Sequence, residues 1–433
     1  YFIEILSINT MITREVLPKI LHWVGKEKIL ILKGARQVGK TTLLNEVVAE
    51  IKKKDPTAEV VFLRADDTSD ATYLRSTAIL EEYLKRNHGF PDRSVTVCID
   101  EFQNIPDAGT FLKTFFDAHK GKLQFIVSGS SSLEITKNTE FLTGRSIDFD
   151  IPRITFREYF NYENNSTVAA IPLSDFESLK LFYETYTDQI DLRFGTYLTY
   201  GGYPEVITTA GHEDKITILE SIAKTYVEKD VAGFLKIENI TGFNDLVRIL
   251  SAQIGSLVNL SEISITTGLA RNTAEKYLEV LVGTYVFHVV NPFFRNIRSE
   301  LSKMPKVYAL DIGMRNYFTR SFDTDGKSDG HRIENFAYLE FLNRFKKEYV
   351  HFYRTTGGAE IDFVIELPNN SVLLAEVKYR PKPSLPVAMR NFEKRYPEVV
   401  SKKIILTKYV IRKDPDGTIF LPVSLLPFVD LTS

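Results

Sequence analysis

Three groups of residues in this chain have the types and spacing to do chemistry. The first is Gly34-Ala35-Arg36-Gln37-Val38-Gly39-Lys40-Thr41, followed at once by Thr42, which fits the pattern G-x-x-x-x-G-K-[ST]. Glycines in such a loop let consecutive backbone N–H groups converge on phosphate oxygens, at a helix N-terminus whose dipole also favours negative charge. Lys40 can then reach the β- and γ-phosphates of ATP, and the Thr41 hydroxyl can ligate Mg²⁺. The second group is Asp100-Glu101 at the end of an apolar run, with Ser128-Gly129-Ser130 and Arg145 further on. An acid at a strand tip beside a phosphate loop can hold Mg²⁺, and its neighbour can orient or deprotonate the attacking water. The third group is Asp362, Glu376 and Lys378, which a hairpin can gather on one face, with Glu334 on the preceding helix.

The elements that must position the first two groups follow from periodicity. Ile29 to Leu32 is a short apolar run rich in β-branched residues, a buried strand entering the loop. Leu43, Leu44, Val47, Val48 and Ile51 recur at helical spacing on its far side. Further strands are expected at Glu59–Leu63, Val95–Glu101, Leu123–Val127 and around Ile147, Phe149 and Ile151, with a helix near Ala78–Lys85. This alternation implies a parallel sheet covered by helices, whose ligands sit at the carboxyl ends of the strands. Ser128 or Ser130 at the next strand tip is then placed to sense the γ-phosphate, although Ser-Gly-Ser is also ordinary turn chemistry. Arg145 reads either as a phosphate-contacting or finger arginine or as a salt-bridged surface residue.

Those motifs, together with Thr143-Gly144-Arg145 and Gly201-Gly202-Tyr203-Pro204, resemble prokaryotic AAA-type ATPases that carry a C-terminal nuclease-like domain of unknown function. The resemblance runs over nearly the whole chain from Met11. It implies an α/β fold: a P-loop parallel sheet with a helical lid, then a winged helix and a small α/β nuclease-like domain. The expected divisions are 11–155 for the ATPase core, 156–240 for the lid or connector, 241–325 for the winged helix-turn-helix and 326–433 for the nuclease-like domain. Residues 1–10 precede the first methionine and read as an extension.

In the third of these regions, Leu246–Ile254, a helix opened by an N-capping Ser261, and Asn272–Leu281 flank the turn Gly268-Leu269-Ala270. The strands expected at Val286–Val290 and Lys306–Leu310 form a wing, to which Arg295, Arg298, Lys303 and Lys306 give local positive charge. Such a module contacts DNA through its second helix, or serves protein–protein association. In the last region, a helix starting near Arg332 carries Glu334 at the end of an apolar stripe. Pro368-Asn369-Asn370 turns a hairpin in which Asp362 faces Glu376 and Glu360 faces Lys378. Alternation then puts Asp362, Glu376 and Lys378 on one side, where a second divalent ion, Mg²⁺ or Mn²⁺, would relieve the repulsion of the acids. This stretch resembles the PD-(D/E)xK nuclease core, with Ile361 where that pattern has proline. The bland alternatives are a surface hairpin with a Glu–Lys pair, or a nuclease fold kept only to grip DNA.

Composition bounds the rest. Lys+Arg 54 against Asp+Glu 56 leaves a net charge of −2, so any DNA contact must come from a local patch. The single Cys98 excludes an intramolecular disulfide framework. No apolar run approaches the ~18 residues of a membrane span, so a cytoplasmic protein without membrane partners is expected. Function narrows to an ATPase coupled to DNA binding or processing, with ATP, DNA and further copies of itself as partners. The alternatives are an ATP-dependent switch with an inactive nuclease-like domain, and a toxin–antitoxin or defence regulator acting through protein contacts.

Overall fold

The computed structural model describes residues 11–130, 142–226, 239–293, 304–322, 330–355 and 357–431. Its first layer is the expected parallel sheet, built from β1 (Ile29–Lys33), β2 (Glu59–Arg64), β3 (Val95–Asp100), β4 (Leu123–Gly129) and β5 (Ser146–Asp150) in the order β2-β3-β4-β1-β5. Strand β4 is buried along its whole length because helices cover both faces, and so it reads as one apolar run. The parallel register sets Lys33 beside Gly129 and Ile99 beside Val127. The carboxyl ends of β1, β3 and β4 therefore meet at one edge, where the loop after Lys33, Asp100 and Ser128 all emerge. Helix Lys40–Lys54 follows the loop and buries Leu43, Leu44 and Val47 against the sheet.

Beyond Thr155 the chain is helical. Thr155 and Glu158 form a capping box that starts helix Phe156–Glu163, and helix Phe176–Tyr200 follows. Helix His212–Thr225 turns its Leu219, Ile222 and Ala223 back into the core over the phosphate loop. Helices Ile240–Ala252, Leu260–Thr267 and Arg271–Gly283 and the antiparallel strands Phe287–Val290 and Lys306–Ala309 make the winged helix-turn-helix arrangement. One detail differs from expectation: the second helix is capped by Asn259, whose side chain accepts from the Glu262 N–H, rather than by Ser261. Arg295, Arg298 and Lys303 lie outside the described residues. Lys306 does not belong to an exposed basic loop at all, since it is only 2 % exposed.

The last region is a mixed six-stranded sheet in the order 412–413, 419–422, 400–407, 371–378, 360–367 and 350–354. Helix Gly330–Leu342 lies against strand Ser371–Lys378. The sheet shares one apolar core with the helices after Thr155: Phe156, Phe194 and Tyr197 stack edge-on against Phe336, and Phe160 against Phe428. No helix among the described residues is long and apolar enough to cross a membrane.

Candidate functional site

The phosphate loop is shaped by two backbone demands. A Cβ on Gly34 would come within 2.5 Å of the Ile151 carbonyl, so the loop leaves β1 against the end of β5 only with glycine there. Gly39, at φ 89°, turns the chain into helix Lys40–Lys54. Lys40 folds back and donates to the carbonyls of Gly34 at 3.0 Å and Ala35 at 2.7 Å. Arg14, which nothing in the sequence singled out, braces the loop from below. It donates to the Val38 carbonyl at 3.0 Å and the Pro152 carbonyl at 2.6 Å, and pairs with buried Glu158.

Beside the loop, the Thr41 hydroxyl donates to Asp100 Oδ2 at 2.6 Å, and the Ser128 hydroxyl donates to Asp100 Oδ1. Glu101 sits just past β3 in the left-handed region, at φ 53°. Its carboxylate accepts from Ser130 Oγ at 3.0 Å and from Gln103 Nε2. The two serines thus each hold one of the two acids. Gln103 is a further residue that sequence reading missed, because a glutamine two positions after an acid carries no signal of its own. Arg145 is not brought to this edge. It precedes β5, at the opposite end of the parallel sheet, and pairs with Asp117 at 2.8 Å. Arg145 and the phosphate loop thus stand at opposite ends of the sheet.

The Gly-Gly-Tyr-Pro segment lies over the loop. Pro204 Cγ is 3.8 Å from where a Cβ on Gly39 would stand. The Gly202 N–H donates to Asp311 Oδ2 at 2.8 Å, and Asp311 also caps helix Ile312–Thr319 through the Met314 N–H at 2.8 Å. Arg153 donates to Tyr203 Oη at 2.9 Å and to the Tyr285 carbonyl at 2.7 Å. One short segment consequently touches the phosphate loop, the end of β5 and the wing. A small cavity lined by Arg36, Gln37, Arg153, Tyr203 and Asp311 opens between them.

In the C-terminal sheet the hairpin register pairs Phe363 with Ala375 and Leu367 with Ser371, so Asp362 and Glu376 stand across from each other. Both Asn369 and Asn370 are left-handed in the turn, at φ 60° and 56°. Asp362 Oδ2 accepts from the Val377 N–H at 2.8 Å, and Glu376 Oε2 accepts from the Asp362 N–H at 3.1 Å. Lys378 pairs with Glu376 on its own strand and not with Glu360. Burial first, and the repulsion of Glu334 and Asp362 respectively, push the carboxyls of Asp362 and Glu376 up to about 7.

A cation from a distant strand meets these acids. Lys306, from the wing strand, places Nζ 3.0 Å from Glu334 Oε1 and 2.6 Å from Glu360 Oε1. Tyr308, two residues on, donates to the same Glu334 oxygen at 2.7 Å, and Arg354 holds the other Glu360 oxygen at 2.7 Å. Burial alone would lower the Lys306 ammonium, but the carboxylates of Glu334, Asp362 and Glu360 outweigh it and hold the value above that of an ordinary lysine. Lys306, Tyr308, Arg354, Lys378 and backbone N–H groups each hold an oxygen of these acids. Among the described residues no group of three or more His, Cys, Asp or Glu side chains is set to hold a metal.

Comparison with known proteins matches three family models along the chain. Residues 26–160 match an AAA domain, 192–325 a domain of unknown function (DUF8612), and 329–426 another (DUF4143). The uncharacterized protein Rv2008c of Mycobacterium tuberculosis is 25% identical over 389 residues, which cover 87% of this chain and 76% of that protein. The uncharacterized protein MJ1544 of Methanocaldococcus jannaschii is 24% identical over 86% of this chain and 78% of its own length. Among solved structures, Cdc6p of Pyrobaculum aerophilum aligns over 71% of this chain and 92% of its own at a TM-score of 0.28 and 10% identity.

Proposed function

We propose that this chain is a Mg²⁺-dependent ATPase whose nucleotide state is passed to C-terminal regions that engage DNA. The observation that carries the catalytic part is the meeting of Thr41 and Asp100 at 2.6 Å beside the phosphate loop, with Glu101 next to them. Backbone N–H groups from Gly34 to Thr42 cradle the phosphates, and Lys40 leaves its loop carbonyls to pair with them. Thr41 and Asp100 are the residues that would hold Mg²⁺. When bound, that ion neutralises charge building on the β- and γ-phosphate oxygens. Glu101, fixed by Ser130 and Gln103, orients water and accepts its proton as the water oxygen bonds to the γ-phosphorus and the bond to ADP breaks. Phosphate release that depends on Mg²⁺ and is lost in Lys40→Ala supports this reading. Turnover equal to wild type in Lys40→Ala would overturn it.

A second reading is favoured by one specific observation, the position of Lys306 among the acids. In the conformation described, the C-terminal sheet acts as a binding module under nucleotide control rather than a loaded nuclease. A nicking assay on supercoiled plasmid with Mg²⁺ or Mn²⁺, with and without ATP, separates the two readings.

A further inference from the structure

Arg14 lies behind the phosphate loop and is only 4 % exposed, so water does not compete for the hydrogen bonds it makes. One terminal nitrogen donates to the Val38 carbonyl at 3.0 Å, and the other donates to the Pro152 carbonyl at 2.6 Å. Its Nε stands 3.4 Å from Glu158 Oε1, an oxygen that also takes the Glu15 N–H at 2.6 Å. Glu158 belongs to the capping box that starts helix Phe156–Glu163, which anchors the brace in the helical region. A guanidinium is a rigid fork, so this one side chain holds two backbone segments at a set separation. The entry of the loop is fixed beside the same segment, because Gly34 passes against the Ile151 carbonyl. Entry and exit are therefore pinned to two consecutive residues, Ile151 and Pro152. The effect on the exit follows from the peptide unit. The Val38–Gly39 bond is trans, so its carbonyl and its N–H point in opposite directions. A glycine at φ 89° has the backbone freedom to turn this unit over. The bond from Arg14 removes that freedom.

We propose that Arg14 is a positioning residue for nucleotide binding: it fixes the Val38 carbonyl on the outer side of the loop and so turns the Gly39 N–H inward, onto a phosphate oxygen. The inference deepens the ATPase reading above and rests on it. Donors aimed before the ligand arrives bind more tightly than donors the ligand must order. Glu158 offsets the charge of the guanidinium. Arg14 therefore acts through the aim of this N–H and not as a cation on the phosphate.

The test uses the full chain, ADP as the probe, and two readouts other than turnover. The first is ADP affinity by calorimetry. Arg14→Met fills the same space without donors, and its affinity should fall about ten-fold or more. Arg14→Lys keeps the charge but presents one nitrogen, which cannot hold both carbonyls, so it should fall about five-fold. Circular dichroism checks that each variant folds, and Arg14→Lys carries the test should Arg14→Met not fold. The second readout is the Gly39 amide itself. Labelling with carbonyl-¹³C valine and ¹⁵N glycine selects the glycines that follow valine, which are Gly25, Gly39 and Gly283. Of these only Gly39 is in the loop, so in wild type its signal is the one that moves on ADP addition. At saturating ADP the same signal should move by less than about half as much in the variants, since the N–H no longer meets the phosphate squarely. Unchanged ADP affinity in a folded variant overturns the proposal. So does a weaker affinity with the full movement of the Gly39 signal, which is what a brace serving only the fold would give. Wild type that binds ADP but releases no phosphate from ATP would sink the ATPase reading and leave the role of Arg14 standing. Wild type that binds no ADP would sink both.

Discussion

Asp362 and Glu376 hold each other's strands: each carboxylate accepts a backbone N–H from the opposite side of the hairpin, Asp362 from Val377 and Glu376 from Asp362 itself. The two acids are thus part of the sheet's hydrogen bonding as well as of its electrostatics. Asp362→Ala leaves the Val377 N–H without its acceptor and should destabilise the protein by about 1–3 kcal/mol. Asp362→Asn keeps an oxygen in place and relieves repulsion, so its cost should stay below about 1 kcal/mol. Urea denaturation of both variants checks this, and equal losses would show that charge matters more here than the N–H bond.

At the nucleotide site, Glu101→Gln should lower phosphate release by about 10²–10⁴-fold, because it removes the proton acceptor. Nucleotide affinity should change little, since Asp100 and Thr41 are untouched. Gln103→Ala should give a smaller loss in turnover without a change in KM, because Ser130 still holds Glu101. Steady-state kinetics beside nucleotide titration separates these outcomes.

If the wing engages DNA through Arg295 and Arg298, affinity should fall steeply with salt, as counterions released from the phosphates drive association. Neutralising both residues should reduce the slope of log affinity against log salt by about 2, roughly one unit per phosphate contact. Fluorescence anisotropy across a salt series measures it. An affinity independent of salt would point to a protein partner instead.

His288, on the inner wing strand, has its pKa lowered to about 4, first by burial and then by Lys347. It hydrogen-bonds Tyr338. The folded protein keeps this imidazole neutral while the unfolded chain protonates it near 6.5, so between about 6.5 and 4 the unfolded state binds the extra proton. Stability should therefore fall as pH drops through that window, by at most about 1.4 kcal/mol per pH unit from this group. The difference between wild type and His288→Asn isolates it from the buried acids, whose raised values act in the opposite direction. Parallel pH profiles for the two proteins in thermal denaturation would remove His288 from the account.

Much of this was legible in the residues because the local rules agree. Buried parallel strands read as unbroken apolar runs, and the loop between Ile29–Leu32 and Leu43–Leu44 has one chemistry. The hairpin register followed from the three residues between Leu367 and Ser371, which is why Asp362 and Glu376 could be set opposite each other. Lys306 and Arg14 escaped because their roles depend on chain segments far away. Lys306 stands beside Val307, Tyr308 and Ala309, a pattern that fits an exposed strand start as well as a buried one, and its partners lie 28 and more residues on. Arg145 was singled out with two readings left open, and the structure shows it paired with Asp117. Its position next to a phosphate-site element is real in sequence, but a parallel strand puts its two ends on opposite edges of the sheet.

The aromatic packing of Phe156, Phe194 and Tyr197 on Phe336 has a consequence for how the chain can be cut. A gene shortened to end before His331 would deliver the ATPase half with three large rings facing water, and such a fragment should be sticky and prone to self-association. Splitting the protein there and supplying the missing half in trans should restore a soluble complex.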